Sequence, residues 1–396
     1  MPPLLTIEEA QRLVLERTRG PAATERVATD AAAGRVLAAD ARATVDLPPH
    51  DSSAMDGYAV RAADTPGRLP VVARIAAGRP AARPLRPGEA MAIATGGVVP
   101  AGADAVVPVE AAVEHGDDVE LLEAARSGAH VRPRGGDVPA GDVVVSRGTR
   151  LAPPQLGALA AAGVAEVEVA RAPSVAVLAT GTELRRPGER LEAGQVYEAN
   201  GVILTAAARD FGAQARRLEA VEDDPAEHRR ALAEALDADV VVSSGGVSVG
   251  PHDLVRAVAA ELGVEEVFWG VAVRPGKPVA FGVRGRTLVF GLPGNPVSAL
   301  VGFHLFVRPA LLALQGHADP LPVYEPGRLG APVRRAPRVQ LLRARRRLAG
   351  DEVELDPLRG QESHMIARAA AADALVVVPA GEGELPAGAP VRYLRL

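Results

Sequence analysis

From Ser174 onward the sequence alternates short apolar runs with helix-like stretches, and this alternation constrains the fold more than any other feature. The run Ser174–Thr180 is continuously apolar, as expected of a strand covered on both faces. Repeated strand–helix units predict a parallel sheet with right-handed crossovers. The predicted strands cover 174–180, 216–221, 240–242 and 287–290, and the predicted helices cover 200–210, 225–236, 253–262 and 295–314.

The regions on either side of this α/β part have a different pattern. Residues 47–146 contain short Val-rich runs broken by Gly and Pro, which predict a mostly-β insert domain. After residue 320, short strands are predicted at 338–345, 352–355, 374–378 and 390–396. They indicate a small β-barrel or sheet domain at 321–396. Helices are predicted to begin at Thr6 and near Thr29, and another at 155–162.

Composition excludes several classes of protein. The 396 residues contain no cysteine, so disulfides and thiolate metal ligands are excluded. The net charge of -5 provides no general basic field, which argues against nucleic-acid binding. The N-terminus lacks a basic segment, and no run of about 18 uncharged apolar residues occurs. We therefore expect a soluble, cytoplasmic protein that does not bind membranes.

Three loops are predicted to leave the carboxyl ends of strands, where ligands of open α/β sheets bind. Glycines let backbone N–H groups approach a ligand closely, and a helix start adds free donors that suit an anion. The pattern favours phosphate binding, although the glycines could also serve only to make tight turns. The candidate substrate-binding residues in and after these loops are Thr180, Gly181, Ser244, Gly245, Gly246, Ser248, Pro293, Gly294, Asn295, Pro296 and Ser298.

Three carboxylates are predicted at the same edge of the sheet: Glu183, Asp223 and Asp253. An anion site should not also collect acids unless a cation joins them, and carboxylate oxygens are typical Mg²⁺ ligands. The set therefore predicts divalent-metal binding. Singly, each acid could instead be a helix cap, and Asp224 is the expected N-cap of the helix at 225–236.

Two basic residues, Arg274 and Lys277, lie in the segment VRPGKP. Proline on both sides restricts the turn, so Lys277 is expected to be held in place, where an ammonium can neutralise an oxyanion. The alternative is an ordinary surface lysine. The arginines at 343–347 are most simply interpreted as a solvated strand face, with phosphate binding as the alternative.

The insert contributes a second set of polar candidates. Asp56 precedes a glycine in DSSAMDGY, and Arg132 and Asp137 frame RPRGGD. A further tight turn is predicted at 95–100. An isolated Asp-Gly pair usually marks only a turn. These residues lie far from the α/β loops in sequence and could reach them within one subunit or across a dimer.

The chain shows a family resemblance over essentially its whole length. The resemblance rests on the segments LPPHDSSAMDGYAVR, ATGGVVPAGADAVVPVE, VRPRGGDVPAGD, LATGTEL, VVSSGGVSVGPHD, VRPGKP and GLPGNPVSAL. The chain resembles the molybdopterin molybdenumtransferases, a family that includes the C-terminal domain of gephyrin. The resemblance implies an elongated linking domain formed by 1–46 with 147–172, the insert at 47–146, a molybdopterin-binding α/β domain at 173–320 and a β-barrel at 321–396.

The resemblance also implies a reaction, in which adenylylated molybdopterin and molybdate give molybdenum cofactor and AMP with the help of Mg²⁺. It implies a homodimer whose sites lie between the insert of one subunit and the α/β domain of the other. The implied catalytic residues are Asp56, Asp137, Glu183, Asp223, Asp253 and Lys277, with Arg132, Arg274, Pro293, Pro296 and Ser363 at the substrate and Glu183, Asp223 and Asp253 on the metal.

The chain departs from the family pattern at Gly270 and Arg274, where lysines are frequent, and at Thr182, where aspartate is common. Two other functions remain open. The α/β part alone resembles molybdopterin adenylyltransferases, and gephyrin itself also serves as a scaffold. A molybdopterin adenylyltransferase and the apoproteins of molybdoenzymes are the transient partners that the resemblance implies.

Overall fold

The structure is a computed structural model that describes residues 4–221, 224–246 and 254–396. Three predicted site residues, Asp223, Ser248 and Asp253, lie outside the described residues. Within them, the predicted multidomain α/β and β fold class is confirmed, including a closed C-terminal barrel.

The chain begins with helix α1, Ile7–Arg17, which packs on the core of the α/β domain through Ile7, Ala10 and Val14. Thr6 and Glu9 form a reciprocal capping box at its start, and the helix predicted to begin at Thr6 is confirmed. After α1 come strands β1, Thr24–Ala28, and β2, Ala41–Arg42.

The helix predicted near Thr29 is wrong, because only the single 3₁₀ turn Thr29–Ala31 forms. From Gly34 to Leu37 the backbone instead bonds to residues 149–151.

The insert domain is built around a six-stranded sheet. Its strand order is β7-β4-β6-β5-β9-β8, and two apolar clusters cover its faces. The short strands β3 and β10 pair beside it and bring the turns at 51–57 and 131–137 together. The strands of this region are β3 Ser52–Ser53, β4 Gly57–Val60, β5 Gly67–Ile75, β6 Ala90–Ile93, β7 Ala105–Pro108, β8 Ala112–His115, β9 Asp118–Leu121, β10 Val131–Arg132 and β11 Val143–Val145.

The chain then returns to the segments that precede the insert. Helix α2, Pro153–Ala161, is followed by strand β12, Glu166–Ala170, which pairs antiparallel with β1. Strand β11 likewise pairs with β2. A separate apolar cluster, which includes Leu37, Leu151 and Leu159, holds these elements together.

The α/β domain has a six-stranded sheet with strand order β16-β13-β17-β21-β20-β18. The first four strands are parallel, but β20 and β18 are antiparallel to their neighbours. The four predicted strands, β16, β13, β17 and β21, are parallel as expected, and β20 and β18 extend the sheet antiparallel because the short turn at Gly285 and Arg286 returns the chain as a hairpin.

The elements of this domain are β13 Ser174–Ala179, β14 Leu184–Arg185, β15 Val196–Tyr197, α3 Asn200–Asp210, β16 Gln214–Arg217, α4 Pro225–Ala235, β17 Val240–Ser244, α5 Leu254–Glu261, β18 Glu265–Trp269, β19 Val273–Arg274, β20 Ala280–Arg284, β21 Thr287–Leu292, α6 Pro296–Gly302 and α7 Arg308–Leu314. Strand β13 has β16 on one side and β17 on the other. The crevice outside the carboxyl ends of β13 and β17 is thus the switch point at which open α/β sheets bind ligands.

The helix predicted at 295–314 is divided by a π-helical turn, Phe303–Val307. Pro309 cannot donate to the carbonyl of Leu305. The buried Gln11 side chain donates to that carbonyl instead, at 3.0 Å. Among the described residues, Pro296–Leu314 is long and apolar enough to span a membrane, but 78% of its apolar window is buried, as in a core helix.

The C-terminal domain is a five-stranded barrel in the order β24-β25-β22-β28-β26, closed by pairing of β26 with β24. Strand β19 of the α/β domain adds to it as a parallel neighbour of β24. The barrel and the α/β domain are therefore joined by backbone hydrogen bonds. The elements of the barrel domain are β22 Tyr324–Leu329, β23 Val333–Arg334, β24 Val339–Ala349, β25 Glu352–Pro357, α8 Ile366–Ala369, β26 Ala374–Val378, β27 Glu384–Leu385 and β28 Pro390–Arg395.

Candidate functional site

Two adjoining cavities lie where the loops of the α/β sheet meet the barrel. They share Asn295 and His364. The first, named here the cationic cavity, has a volume of 580 Å³ and is lined by Arg274, Pro275, Gly276, Lys277, Pro278, Pro293, Asn295, Ser298, Arg338, Gln340, Leu342, Gln361, Glu362, Ser363 and His364.

The second, named here the glycine-loop cavity, has a volume of 590 Å³. It opens at the switch point of the sheet. Its lining contains acids and amides, whereas the lining of the cationic cavity contains arginines and a lysine. It is lined by Ala179, Thr180, Glu183, Leu184, Val196, Tyr197, Glu198, Ala199, Asn200, Ser244, Gly294, Asn295, Pro296, His364 and Ile366.

The turn that carries Arg274 and Lys277 is fixed by the pairing of β19 with β24. Arg274 lies opposite Gln340 in this pairing. The guanidinium of Arg338 donates to the carbonyl of Val273 at 3.0 Å. Lys277 is half-buried, and a cis peptide bond joins Arg274 to Pro275. Arg274 and Lys277 thus line the same cavity, together with Arg338, which sequence reasoning missed.

The loop at 360–365 brings Ser363 and His364 from the barrel into the cavities. Arg343, only 2% exposed, organises this loop. Its guanidinium donates to the carbonyls of Met365 and Gly360, both at 2.7 Å. The interpretation of 343–347 as a solvated face is therefore wrong at Arg343. The side chain is turned away from solvent. Among the described residues, its guanidinium donates hydrogen bonds to backbone oxygens and to Gln361.

Ser363 closes the boundary between the two domains. Its hydroxyl accepts a hydrogen bond from Asn295 Nδ2 at 2.9 Å, and its carbonyl accepts one from the backbone N–H of Val297 at 3.1 Å. Asn295 occupies the N-cap position of α6, but its side chain caps no helix N–H. The Ser363 carbonyl provides one of the missing acceptors at this helix start.

The three predicted glycine loops lie in direct contact. The Thr180 N–H donates to the carbonyl of Ser244 at 3.0 Å, and the Gly245 N–H donates to that of Leu292 at 3.1 Å. Gly245 has φ of +97°, and a Cβ there would lie 2.6 Å from the carbonyl oxygen of Thr180. Only glycine therefore fits where these loops cross.

The acids of the glycine-loop cavity are Glu183 and Glu198. The Glu183 carboxylate is exposed and lies against Gly181, where a Cβ would be 2.5 Å from one of its oxygens. Glu198 is buried, accepts from the Gly201 N–H at 2.6 Å and lies 3.4 Å from the Arg217 guanidinium. Sequence reasoning missed Glu198. Its one signal is its place in the Tyr-Glu-Ala-Asn segment immediately before α3.

Only part of the predicted magnesium site belongs to the described residues. Over 4–221, 224–246 and 254–396, no group of three His, Asp or Glu residues is placed to hold a metal. Of the three predicted ligands, only Glu183 belongs to these ranges. The described residues therefore supply one free carboxylate at the edge of the sheet and do not by themselves fit a magnesium ion.

The predicted residues of the insert lie elsewhere on the chain. Asp56 accepts a hydrogen bond from the Thr95 N–H at 2.7 Å, which lowers the pKa of its carboxyl group. Arg132 is exposed on β10, opposite Ser52, and Asp137 is exposed in the following turn. Neither cavity includes Asp56, Arg132 or Asp137 in its lining. These three residues of the insert are named here the insert cluster.

Glycine loops at the switch point of an α/β sheet, beside a cation-lined cavity closed by a β-barrel, define a protein that binds an anionic ligand between two domains. Comparison with known families agrees with this architecture. Residues 5–163 match the MoeA N-terminal region (domain I and II), residues 176–313 match a probable molybdopterin-binding domain, and residues 326–396 match the MoeA C-terminal region (domain IV). The chain belongs to the MoeA family, and the predicted resemblance is confirmed.

Individual relatives support the same assignment. The chain is 42% identical over 338 residues to molybdopterin molybdenumtransferase 2 of Mycobacterium tuberculosis, covering 82% of each chain. It is 32% identical over 395 residues to the molybdopterin molybdenumtransferase of Staphylococcus aureus, covering 98% of this chain and 94% of the relative. A crystal structure of a molybdopterin biosynthesis MoeA protein from Pyrococcus horikoshii superposes with a TM-score of 0.85 at 28% identity, covering 100% of both chains.

Proposed function

We propose that the protein is a transferase that inserts molybdenum from molybdate into molybdopterin. In the finer form of this proposal, the pterin is adenylylated and AMP is released. The observation that carries the proposal is the cationic cavity, in which Arg274 and Lys277 of the α/β domain and Arg338 of the barrel line one space. Membership of the MoeA family supports the same reaction.

The cationic cavity has the chemistry that a tetrahedral oxyanion requires. Molybdate carries two negative charges, and charged donors held on rigid turns bind such an ion most strongly. Lys277 provides an ammonium between two prolines, and Arg338 is fixed by its bond to the Val273 carbonyl. The Ser298 and Ser363 hydroxyls lie in the same lining as neutral donors.

The glycine-loop cavity suits the other substrate. Its glycine turns and the start of α6 can receive phosphate groups. Tyr197 is 47% exposed at its rim, and its hydroxyl donates to the carbonyl of Glu189 at 2.9 Å, which restrains the ring. We assign this aromatic face to stacking against the planar ring of the substrate. The chain has no cysteine, so the dithiolene of the pterin itself must bind the molybdenum.

Mg²⁺ forms part of the proposal. Glu183 would hold it together with Asp223 and Asp253, the two predicted ligands outside the described residues. When bound, the ion would neutralise the phosphate oxygens of the substrate. The described residues place Glu183 in the lining of the glycine-loop cavity, and no described cation is paired with it.

We further propose a homodimer in which the insert cluster of one subunit completes the site of the other. Arg132 and Asp137 are exposed and belong to neither lining, which supports this arrangement. A cytoplasmic location and transient contacts with a molybdopterin adenylyltransferase and with molybdoenzyme apoproteins belong to the same proposal.

An enzyme assay tests the proposal directly. The purified protein with adenylylated molybdopterin and Mg²⁺ is expected to release AMP only when molybdate is added. ATP consumption with molybdopterin in the absence of molybdate would instead favour adenylylation. That activity requires only the α/β part and would leave Ser363 and Arg338 without a role. Absence of both reactions would favour the scaffold alternative.

A further inference from the structure

Asn200, the first residue of α3, is a buried amide to which no functional role has been given. It is 8% exposed and lies in the lining of the glycine-loop cavity. Its Nδ2 donates to the Ser244 hydroxyl and to the Gly294 carbonyl, both at 2.7 Å. The Ser244 hydroxyl in turn donates to the carbonyl of Pro293 at 3.1 Å. One side chain thus connects the last residue of β17, from which one glycine turn begins, to the turn that follows β21.

The orientation of this amide is determined by its partners. A backbone carbonyl only accepts hydrogen bonds, so the NH₂ group of Asn200 must point to Gly294. Its Oδ1 is then left buried without a partner among the described residues. A residue selected for packing alone would avoid such an oxygen, because burying an unpaired polar atom is unfavourable. The two donated bonds are the only described contacts that require an amide here.

The pairing of β17 with β21 and the Gly245 N–H bond to the Leu292 carbonyl hold the starts of these turns, but the glycines that follow add no side-chain contacts of their own. Gly245 and Gly294 lie side by side, where a Cβ on Gly294 would be 3.7 Å from the Cα of Gly245. Glycines have no side chains to interlock, and each gains conformational freedom when a restraint is lost. The Asn200 amide is anchored on a helix and provides the restraint from outside the turns.

We propose that Asn200 is a positioning residue that sets the spacing of the two glycine turns and thereby the affinity of the site for a phosphate-bearing ligand. The inference rests on the proposed function, because it deepens the role of the same cavity. AMP is the ligand chosen to test it, since its binding can be measured without turnover.

The experiment compares wild type with Asn200→Ala, Asn200→Asp and a matched control, Thr205→Val. Thr205 lies on the same helix, is 7% exposed and has a buried hydroxyl without a partner in the described chain, but it lines neither cavity. AMP affinity is measured by titration calorimetry at pH 7 and pH 5, with thermal unfolding as the readout of folding.

At pH 7, both Asn200 variants are expected to bind AMP at least tenfold more weakly than wild type, while Thr205→Val binds normally. At pH 5, Asn200→Asp should regain part of the loss relative to wild type, because a protonated carboxyl group can donate one bond. Asn200→Ala should regain nothing.

Wild-type affinity in a folded Asn200→Ala, or the same pH response in both variants, would overturn the inference. Wild type that binds AMP but does not release it in a molybdate-dependent reaction would refute the proposed function and leave this comparison valid. Failure of wild type to bind AMP would overturn both. If Asn200→Ala does not fold, the isosteric Asn200→Asp decides the question by its pH dependence.

Discussion

The cavities at the sheet edge and the insert cluster both contain the charged residues expected of a site, but they are constructed differently. The cavities are assembled across a domain boundary, with β19 paired to β24 and Asn295 bonded to Ser363. The insert cluster is held within one domain by short turns, and its acids are exposed. The first region forms lined cavities within the single chain, whereas in our proposal the second becomes part of a site only when another subunit meets it.

Removal of the Lys277 ammonium tests the cavity side of this comparison and should have the largest effect. Lys277→Met should reduce molybdate-dependent AMP release about 100-fold or more, as the loss of a preorganised charge stabiliser typically does. Initial rates at several molybdate concentrations provide the measurement. Arg345→Met, on an exposed position of β24, is the control and should remain active. If Lys277→Met is as active as wild type, the oxyanion does not bind in this cavity.

Mixing two inactive variants tests whether the insert cluster acts across subunits. Lys277→Met has a defective cavity, and Asp56→Asn has a defective insert. If each site joins the two regions from different subunits, half of the randomly mixed dimers contain one intact site. Co-refolded or co-expressed variants should then recover about a quarter of wild-type activity. The rate of AMP release by the purified mixture is the measurement. If the mixture is no more active than either variant alone, the two residues either act within the same subunit or do not share a site.

Arg343 tests how far the cavity depends on the barrel. Arg343→Met leaves the carbonyls of Gly360 and Met365 without their donor, so we expect a loss of about 3 kcal/mol in the free energy of unfolding. The rise in KM for molybdate should be about tenfold, because the loop carrying Ser363 is released. Urea denaturation and steady-state kinetics measure the two effects. A destabilised variant with an unchanged KM would mean that the loop position does not matter for the anion.

Tyr197 should give the smallest effect. Tyr197→Ala removes the aromatic face at the rim and should raise KM for the pterin substrate about fivefold, the value of about 1 kcal/mol of ring stacking. Tyr197→Phe keeps the ring and loses only the bond to Glu189, so its KM should change less than twofold. KM values for both variants at saturating molybdate provide the comparison. Equal losses in the two variants would assign the effect to the hydroxyl.

Sequence reasoning predicted the features that depend on local patterns. The apolar run at 174–180 and the glycines at 245 and 294 mark strand ends and tight crossings directly, because periodicity and glycine content have local causes. Whether Asp223 and Asp253 join Glu183 on a metal stays a prediction.

The missed residues depend on long-range pairing. Arg338 belongs to the site only because β24 lies beside β19, and their register joins segments 65 positions apart, as the Arg338 bond to Val273 shows. Arg343 resembles its exposed neighbours in sequence, and only the closed barrel determines which face of the strand is inside. The sequence likewise did not predict the hairpin of β20 and β21, because apolar runs alone do not show strand direction.

The parallel pairing of β19 with β24 has a mechanical consequence. The turn bearing Arg274 and Lys277 belongs to the α/β chain, yet its backbone is part of the sheet of the barrel. Any rigid-body movement of the barrel relative to the α/β domain would therefore also move Arg274 and Lys277. Arg274, Lys277 and Arg338 would then keep their mutual spacing while the rest of the α/β lining shifts relative to them.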